Sequence, residues 1–345
     1  MLTTEKVHGR FLSTALKNMP FSTVARKVIS RRAVIGGLGC VLSSTAAFGY
    51  AVGVEPFGLR VAQYRLTPEP WPKGLRLRIA VLADLHTCDP FMTADHVRAI
   101  VAATNALEPD LVTLLGDYVA DHRYKRGPVP LKDWTRALAG LRAPRGVHAI
   151  LGNHDWWDDK VVMRRRSGTP RIGYALADAG IPVYENDARR LNKGGHSFWI
   201  AGLGDQWAFP QHQRRADRSP TWSFVGVDDT PALMSKVTDD APLILMVHEP
   251  DVFADLDARA SLTLAGHMHG GQIRVCGYSP YLPSRFGSRY LYGHIVEQGR
   301  HMIVSGGLGC SVMPVRLGAP PEIVIVELGE TTRQHAVTLK HEAIR

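Results

Sequence analysis

Cysteine is scarce in this sequence: the chain has 4 cysteines among 345 residues, and no two of them form a CxxC pair. This scarcity argues against a structural zinc ribbon and against a disulfide framework. Hydrophobic residues, by contrast, make up 45% of the chain. That fraction is enough to bury a large core, and it excludes a disordered protein.

Excess positive charge is also scarce outside the N-terminus, although the formal net charge is +9. Of the 41 basic and 32 acidic residues, 7 basic and 1 acidic residue lie within residues 1–32, which leaves 34 basic and 31 acidic residues in the body. The body is therefore nearly balanced, and a general polyanion-binding surface is not supported. We expect no nucleic acid as a partner.

The basic N-terminal segment is typical of an export signal. Arg31 and Arg32 precede residues 33–54, a mildly apolar run without any charged residue. A positive region before such a run indicates an export signal, and the residues around this arginine pair resemble the twin-arginine signal. The same run is just long enough to be an uncleaved membrane anchor. Positive charge before the run predicts that the body lies outside the membrane.

These features divide the chain into four parts. Residues 1–54 are interpreted as a twin-arginine-like export signal or an N-terminal membrane anchor. Residues 55–74 contain four prolines and are interpreted as a Pro-rich linker. Residues 75–330 are predicted to form the globular domain, and residues 331–345 a C-terminal tail.

Short apolar runs alternate with helix-like stretches across the predicted domain. Continuous apolar runs of this length suit strands that are buried on both faces, so the pattern predicts a layered α/β domain. Active sites in such folds lie at the carboxyl ends of the strands. The predicted strands are Leu77–Ala83, Leu111–Leu115, Val147–Leu151, Phe198–Ala201, Leu243–Val247, Leu262–Ala265, Met302–Val304 and Ile323–Leu328, and the predicted helices are Thr93–Leu107, Leu131–Leu141 and Arg171–Ala179.

Polar motifs follow five of these predicted strands. Each motif places carboxylate, amide or imidazole donors just past a buried strand, where alternate residues face the same way. Glycines in the motifs let the backbone turn tightly around a bound group. The motifs are Asp84-Leu85-His86, Gly116-Asp117, Gly152-Asn153-His154-Asp155, His248 and Gly266-His267-Met268-His269.

The motifs together supply a mixed set of nitrogen and oxygen ligands without a thiolate. Such a set suits Mn, Fe, Zn or Ni rather than Ca. Seven side chains exceed what one ion needs, so we expect two divalent metal ions that share one carboxylate. The candidate ligands are Asp84, His86, Asp117, Asn153, His248, His267 and His269.

In their order, the five motifs resemble those of the calcineurin-like metallophosphoesterases, over about residues 75–330. This resemblance implies a β-sandwich flanked by helices, with a dimetal site at the carboxyl ends of the strands. It also implies that His154 is catalytic, as the acid that protonates the leaving oxygen or as a group that stabilises the developing phosphate charge, and that Asp155 orients it. One metal would be bound by Asp84, His86, Asp117 and His269, and the other by Asp117, Asn153, His248 and His267.

Two further stretches, Gly270-Gly271-Gln272-Ile273 and Pro314-Val315-Arg316, resemble the YaeI/YkuE-like branch of exported or membrane-associated phosphodiesterases. That branch includes enzymes similar to UDP-2,3-diacylglucosamine pyrophosphatase. The resemblance implies phosphodiester or pyrophosphate hydrolysis by a metal-activated water, on an envelope or lipid-linked substrate such as UDP-2,3-diacylglucosamine of lipid A synthesis. Glu249 departs from the pattern, because Asn is frequent after this histidine.

Alternatives stay open at this point. The chain could be an exported phosphodiesterase or phosphatase for cell-wall or nucleotide phosphates, or a non-catalytic cell-surface binding protein on the same fold. The lipid A substrate is hydrolysed on the cytoplasmic side, so it would require the domain at the cytoplasmic face of the inner membrane. A basic and aromatic loop at 275–300 could hold a partly apolar substrate or touch a membrane surface, or it could simply pack on the domain.

Overall fold

The computed structural model describes residues 45–214, 220–256, 258–329 and 342–343. The described residues from Phe48 onward belong to one compact unit. Most of the predicted export segment, residues 1–54, lies outside the described residues, and residues 48–53 are helical. Within the described ranges, no helix is both long enough and apolar enough to cross a membrane.

The first of two six-stranded sheets contains both ends of the predicted domain. Its strands, in spatial order, are β14 (Glu342–Ala343), β1 (Arg60–Leu66), β13 (Glu322–Leu328), β2 (Leu77–Leu82), β3 (Leu111–Leu114) and β4 (Val147–Ala149). β1 is parallel to β13, β13 is antiparallel to β2, and β2, β3 and β4 are parallel to one another. β2, β3 and β4 therefore have their carboxyl ends at the same edge.

The second sheet has a parallel centre with an antiparallel strand at each edge. Its strands, in spatial order, are β11 (Gly293–Glu297), β12 (Arg300–Val304), β10 (Leu262–Ala265), β9 (Leu243–Met246), β6 (His196–Gly202) and β5 (Asp187–Lys193). β12, β10, β9 and β6 are parallel. The strands β7 (Phe209–Arg214) and β8 (Pro220–Val225) form a separate antiparallel hairpin.

The two sheets pack face to face, and helices cover their outer faces. Ile79 and Val324 of the first sheet share one buried apolar cluster with Ile244 and Leu264 of the second. A second cluster joins the outer face of the first sheet to its helices, and a third lies on the outer face of the second sheet. Besides the helical residues 48–53, the helices are Ala94–Ala106, Leu131–Leu138, Asn153–Asp158, Lys160–Arg165, Arg171–Asp178 and Thr230–Ser235, with 3₁₀ turns at Glu55–Phe57, Pro250–Ala254 and His269–Gly271.

This architecture confirms the predicted β-sandwich flanked by helices. All eight predicted strands are present, and their ends differ from the prediction by at most two residues. The three predicted helices are present as well, although the second ends three residues early, at Leu138. Apolar periodicity identified these elements because each of them buries a face in a core cluster.

The interpretation of residues 55–74 as a linker is wrong. β1 lies within this segment and pairs with β13 along its full length, from Arg60 with Glu322 to Leu66 with Leu328. The four prolines flank β1 and do not interrupt it, so no backbone donor of the strand is lost. The sandwich therefore begins before residue 75.

The predicted tail, residues 331–345, lies outside the described residues except for β14. Those two residues pair antiparallel with Arg60 and Val61 at the start of β1. The described part of the tail is thus an edge strand of the first sheet.

Candidate metal centre

All seven predicted ligands converge between the carboxyl ends of the two sheets. Three of the loops that carry them follow β2, β3 and β4, and the other two follow β9 and β10. Each ligand is buried, and His267, the most accessible of them, is 7% exposed. Strand ends from both sheets therefore build one polar centre inside an apolar sandwich.

The backbone at this centre is held in a conformation that few residues adopt. Five of the predicted ligands have left-handed φ values: Asp84 (55°), His86 (47°), Asp117 (57°), His267 (70°) and His269 (51°). Such conformations are uncommon outside glycine and cluster at functional sites, where the surrounding structure enforces them. The strain turns these side chains toward one another directly after their strands.

Glycine permits the close approach of these loops. A Cβ atom at Gly152 would lie 2.5 Å from Asp117 Oδ1 and 2.6 Å from His248 Cε1. These distances are shorter than any ordinary carbon contact, so a side chain at Gly152 would displace both predicted ligands.

One group of donors contains Asp84, His86 and His269. The Nε2 atoms of His86 and His269 are 3.0 Å apart, and Asp84 Oδ1 lies 3.7 Å from His269 Nε2. The Asp84 carboxylate also accepts hydrogen bonds from the backbone N–H of His267. This group matches the ligand set that the family resemblance implies for the first metal.

The other group contains Asp117, Asn153, His248 and His267. Asp117 Oδ2 lies 3.2 Å from His248 Nε2, and Asn153 Oδ1 lies 3.1 Å from His267 Nδ1. Asp117 Oδ2 is also 3.5 Å from Nε2 of His86 in the first group. Asp117 therefore lies between the two groups, as the expected bridging carboxylate would.

Backbone carbonyl groups fix which ring nitrogen of three histidines faces the centre. The Nδ1 atom of His86 lies 3.2 Å from the Val119 carbonyl, and that of His248 lies 2.6 Å from the Leu115 carbonyl. The His267 ring is turned the other way, with Nε2 3.2 Å from a backbone carbonyl. A carbonyl can only accept, so each of these nitrogens donates, and the opposite nitrogen is directed at the centre. Burial alone would lower the pKa of His248, but Asp117 raises it well above its usual range, so a cation there would replace the proton on its inward nitrogen.

The donors fit two divalent cations. Two ligands about 2.1 Å from one ion lie roughly 3 Å apart, and donor pairs in both groups have this spacing. Burial lowers the pKa of His86 and of His267 to about 3, so both rings are neutral and able to ligate. Burial also raises the pKa of Asp84 to about 7, which means that a cation there would replace a proton.

His154 lies beside Asp117 and is not one of the predicted ligands, although its ring and the ligand atoms of His86 and Asp117 lie within 4.8 Å of one another. Its backbone N–H donates to Asp117 Oδ1 at 2.9 Å, and its Nε2 atom lies 4.0 Å from Asp117 Oδ2. Its Nδ1 atom lies 3.4 Å from Asp121 Oδ2. Burial alone would lower the pKa of His154, but the negative charges of Asp117 and Asp121 raise it to about 9. The ring is therefore positioned and protonated as a general acid requires.

Asp155 does not make the contact that was expected of it. The resemblance implies that Asp155 orients His154, but its carboxylate accepts from the backbone N–H groups of Gly152, Asp117 and Tyr118 at 2.8–2.9 Å. Asp155 therefore ties the loop after β4 to the loop after β3. Asp121, from the second of these loops, is the carboxylate next to the His154 ring.

Sequence reasoning gave no role to Arg316, which is completely buried beside the first ligand group. Its guanidinium donates to the carbonyl groups of Gly306, Gly309 and Ala319, and one Nη atom lies 3.2 Å from His269 Nδ1. The only available signal was its place in the Pro314-Val315-Arg316 stretch.

Behind the second ligand group lies a pair of buried acids. Glu249 and Asp205 lie with His248 so that their ligand atoms are within 4.8 Å of one another. Burial raises the pKa of Glu249 to about 7 and that of Asp205 well above its usual range. The pair therefore retains at least one proton near neutral pH and places less negative charge behind His248 than two carboxylates would.

A cavity of about 490 Å³ opens over the centre. Its floor includes Asp117, Asn153, His154, His267 and His269, so a ligand in the cavity would contact both donor groups and the candidate acid. Trp157 and Trp207 are part of its walls, whereas Trp156 packs in the interior at 2% exposure.

Known proteins resemble this chain over most of its length. YkuE of Bacillus subtilis (strain 168), described as an uncharacterized metallophosphoesterase, is 28% identical over 316 residues, which cover 88% of this chain and 99% of that protein. The phosphodiesterase YaeI of Escherichia coli (strain K12) is 28% identical over 306 residues, which cover 87% of this chain and 100% of that protein. The solved structure of a dimetal phosphatase from Danio rerio aligns with a TM-score of 0.38 and 14% identity, over 67% of this chain and 88% of that one.

A family profile described as Calcineurin-like phosphoesterase matches residues 77–271, which is more than half of the chain. The matched range contains all seven predicted metal ligands together with His154. The chain therefore belongs to the calcineurin-like phosphoesterase family, on the branch that contains YkuE and YaeI, and is a metallophosphoesterase that hydrolyses phosphoric esters.

Proposed function

We propose that this metallophosphoesterase is a phosphodiesterase that uses two divalent cations. The observation that carries the proposal is the position of Asp117, whose Oδ2 atom lies 3.2 Å from one histidine of the second group and 3.5 Å from one of the first. A single carboxylate between two sets of imidazole donors suits a pair of ions that share one ligand.

In this proposal, two bound cations would supply an activated water and neutralise the phosphate oxygens of the substrate. Asp84, His86 and His269 would hold one cation and Asn153, His248 and His267 the other, and Asp117 would be available to both. His154, protonated and located at the floor of the cavity, gives its proton to the leaving oxygen. Asp121 keeps that ring oriented and charged.

We propose further that the enzyme acts outside the cytoplasm, on an envelope or lipid-linked phosphodiester. The twin-arginine-like segment before an uncharged run supports this location, and the likeness to a named phosphodiesterase supports the reaction. UDP-2,3-diacylglucosamine is the competing substrate, and it would require the cytoplasmic face of the membrane.

The test is a hydrolysis screen of the full-length chain, stripped of metal and then loaded with Mn, Zn, Fe or Ni. The substrates are an aryl phosphodiester, an aryl phosphomonoester and UDP-2,3-diacylglucosamine. We expect cleavage of the diester with at least one metal and none in the presence of a chelator. Rapid cleavage of the nucleotide glycolipid would move the enzyme to the cytoplasmic face. Absence of turnover with every metal, despite bound ions, would overturn the proposal.

A further inference from the structure

The cavity over the metal centre has predominantly apolar walls. They come from three separate parts of the chain: the loops near β4 and β7, the loop after β10, and the segment before Pro314. The apolar side chains that line it include Trp157, Trp207, Ile273, Tyr281, Val312 and Met313.

One wall is a rigid stack of aromatic rings. Phe224 of β8 stacks on Trp207 at a ring-centroid distance of 4.2 Å and also faces Trp157 at 6.0 Å. The indole N–H of Trp157 donates to the Trp207 carbonyl at 3.0 Å. Trp157 also lies 5.0 Å from His154, and Trp207 lies 4.7 Å from His267. The stack therefore runs from the candidate acid to a predicted ligand.

The opposite wall is fixed by a side-chain amide. Gln272 donates to the carbonyl groups of Ser311 and Met313 at 2.8 and 3.0 Å, and it accepts from the Ser311 N–H at 2.8 Å. Between these anchor points Val312 has φ of 62°, and it is the one β-branched residue with left-handed φ among the described residues. A strained valine at a cavity wall indicates that this apolar surface is maintained at a cost in stability.

The arginine side chains near the cavity have partners outside it. Among the described residues that line it there is no lysine or arginine. The arginines of the 275–300 loop have partners elsewhere: Arg285 pairs with Asp255, and Arg289 pairs with Glu297 at 2.7 Å. The neighbouring Arg274 stacks on Tyr292. Apart from the protonated His154 ring at the floor, a second phosphate or another anionic group in this cavity would therefore have no cationic side chain from these residues to pair with.

We propose that the cavity binds an apolar, uncharged group that is esterified to the substrate's phosphorus. Resting on the proposed function, this makes the preferred substrate a phosphodiester that carries an aromatic or aliphatic group. A pyrophosphate-linked nucleotide is disfavoured, because its second phosphate or its polar sugar would have to enter an apolar cavity.

The test measures binding of alkylphosphonates to the full-length, metal-loaded chain by calorimetry. The phosphonate binds the metal centre in every ligand, so only the chain differs among the butyl, hexyl and octyl compounds. We expect the dissociation constant to fall roughly three- to fourfold for each added methylene, the gain for burial of a CH₂ group. A terminal carboxylate on the hexyl chain should abolish that gain.

Matched variants locate the effect. Val312→Lys places a charge in the wall, and Val275→Lys is its control, because the two valines are 57% and 54% exposed and only Val312 lines the cavity. Tyr281→Ala and Tyr278→Ala form a second pair of exposed tyrosines, of which only Tyr281 lines the cavity. We expect the chain-length gain to be lost in Val312→Lys, weakened in Tyr281→Ala, and unchanged in both controls.

Binding that is independent of chain length would overturn the inference, as would tighter binding of the carboxylated ligand. An equal effect of Val312→Lys and Val275→Lys would also overturn it. Because calorimetry requires no turnover, a chain-length effect in a protein that hydrolyses none of the screened esters would refute the proposed function and leave the cavity assignment intact.

Discussion

His154 is the side chain whose environment most directly indicates a chemical role. It is close to Asp117 and is not one of the predicted ligands, and Asp117 and Asp121 keep its ring protonated near neutral pH. A residue that only supported the metal centre would not need this charge. Its removal therefore separates catalysis from metal binding.

We expect His154→Ala to lower kcat by about 10²- to 10⁴-fold, the usual contribution of a general acid. The metal content should remain at the wild-type level, because the donor groups are complete without this ring. Metal analysis and steady-state kinetics on the same preparation check both statements. Wild-type turnover in this variant would assign the proton transfer to another group.

Arg316 is the residue whose importance depends most on tertiary structure. It joins the segment that follows β12 to His269 through three carbonyl groups and one imidazole. Lysine cannot reproduce a planar fork of donors, so the exchange is not conservative at this position.

We expect Arg316→Lys to weaken metal binding at the first donor group by about 10- to 100-fold, the usual effect of changing a group next to a ligand. The reason is that Arg316 fixes the segment beside His269 through three carbonyl groups. The second group should be less affected, because Arg316 does not contact it. Titration of the metal-free variant with Mn, with bound metal counted at each step, should show two separated binding steps. Two ions bound as tightly as in the wild type would contradict this role.

The predicted ligands could be read from the sequence because each one follows an apolar run directly. The carboxyl ends of parallel strands lie at the same edge of a sheet, so local sequence patterns were sufficient to identify the ligands. Asp121, Trp207 and Arg316 lie several residues beyond the ends of β3, β6 and β12, and their role arises from contacts between loops that are distant along the chain. The family resemblance also implied that Asp155 orients the His154 ring. Asp121 is the carboxylate beside that ring, because residues that are adjacent in the chain need not have side chains in contact.

At the scale of elements, apolar content decided which strands were predictable. β2, β9 and β10 are buried on both faces and read as continuous apolar runs. β5 is an edge strand with the sequence DARRLNK, and it has no residue buried. β1 was missed because prolines crowd around it, although its Val61, Ala62 and Tyr64 are buried. The strands that pair with β1, which are β13 and β14, lie far along the chain.

β1 leads to a prediction about truncation. A chain that begins at residue 75 loses the strand that pairs with β13 over seven residues, whereas one that begins at residue 48 retains it. Each large apolar side chain of β1 that leaves the core costs roughly 1.5–3 kcal/mol. We expect the longer form to show a cooperative thermal transition, and the shorter form to be insoluble or to melt at a much lower temperature. Equal melting temperatures would mean that β1 does not stabilise the sandwich.

At the scale of the whole molecule, the metal centre links the two sheets. Asp84 and Asp117 follow strands of the first sheet, and His248 and His267 follow strands of the second. Five carboxyl groups, those of Asp84, Asp117, Asp155, Asp205 and Glu249, are buried within this region. Such a concentration of buried acids opposes folding unless protons or cations compensate for it. Bound metal should therefore stabilise the entire sandwich and not merely its loops.

Chelation tests this link directly. Ions that bind only the folded state add about 2.7 kcal/mol to the free energy of unfolding for each site at a metal concentration of 100 Kd, and about 1.4 kcal/mol for every further tenfold increase. We expect the melting temperature to fall in EDTA and to rise steadily with the logarithm of added Mn concentration. His267→Ala, which removes one ligand, should reduce that rise, whereas Tyr278→Ala on the exposed loop should not. A melting temperature that is indifferent to metal would mean that the two sheets are held together by their apolar interface alone.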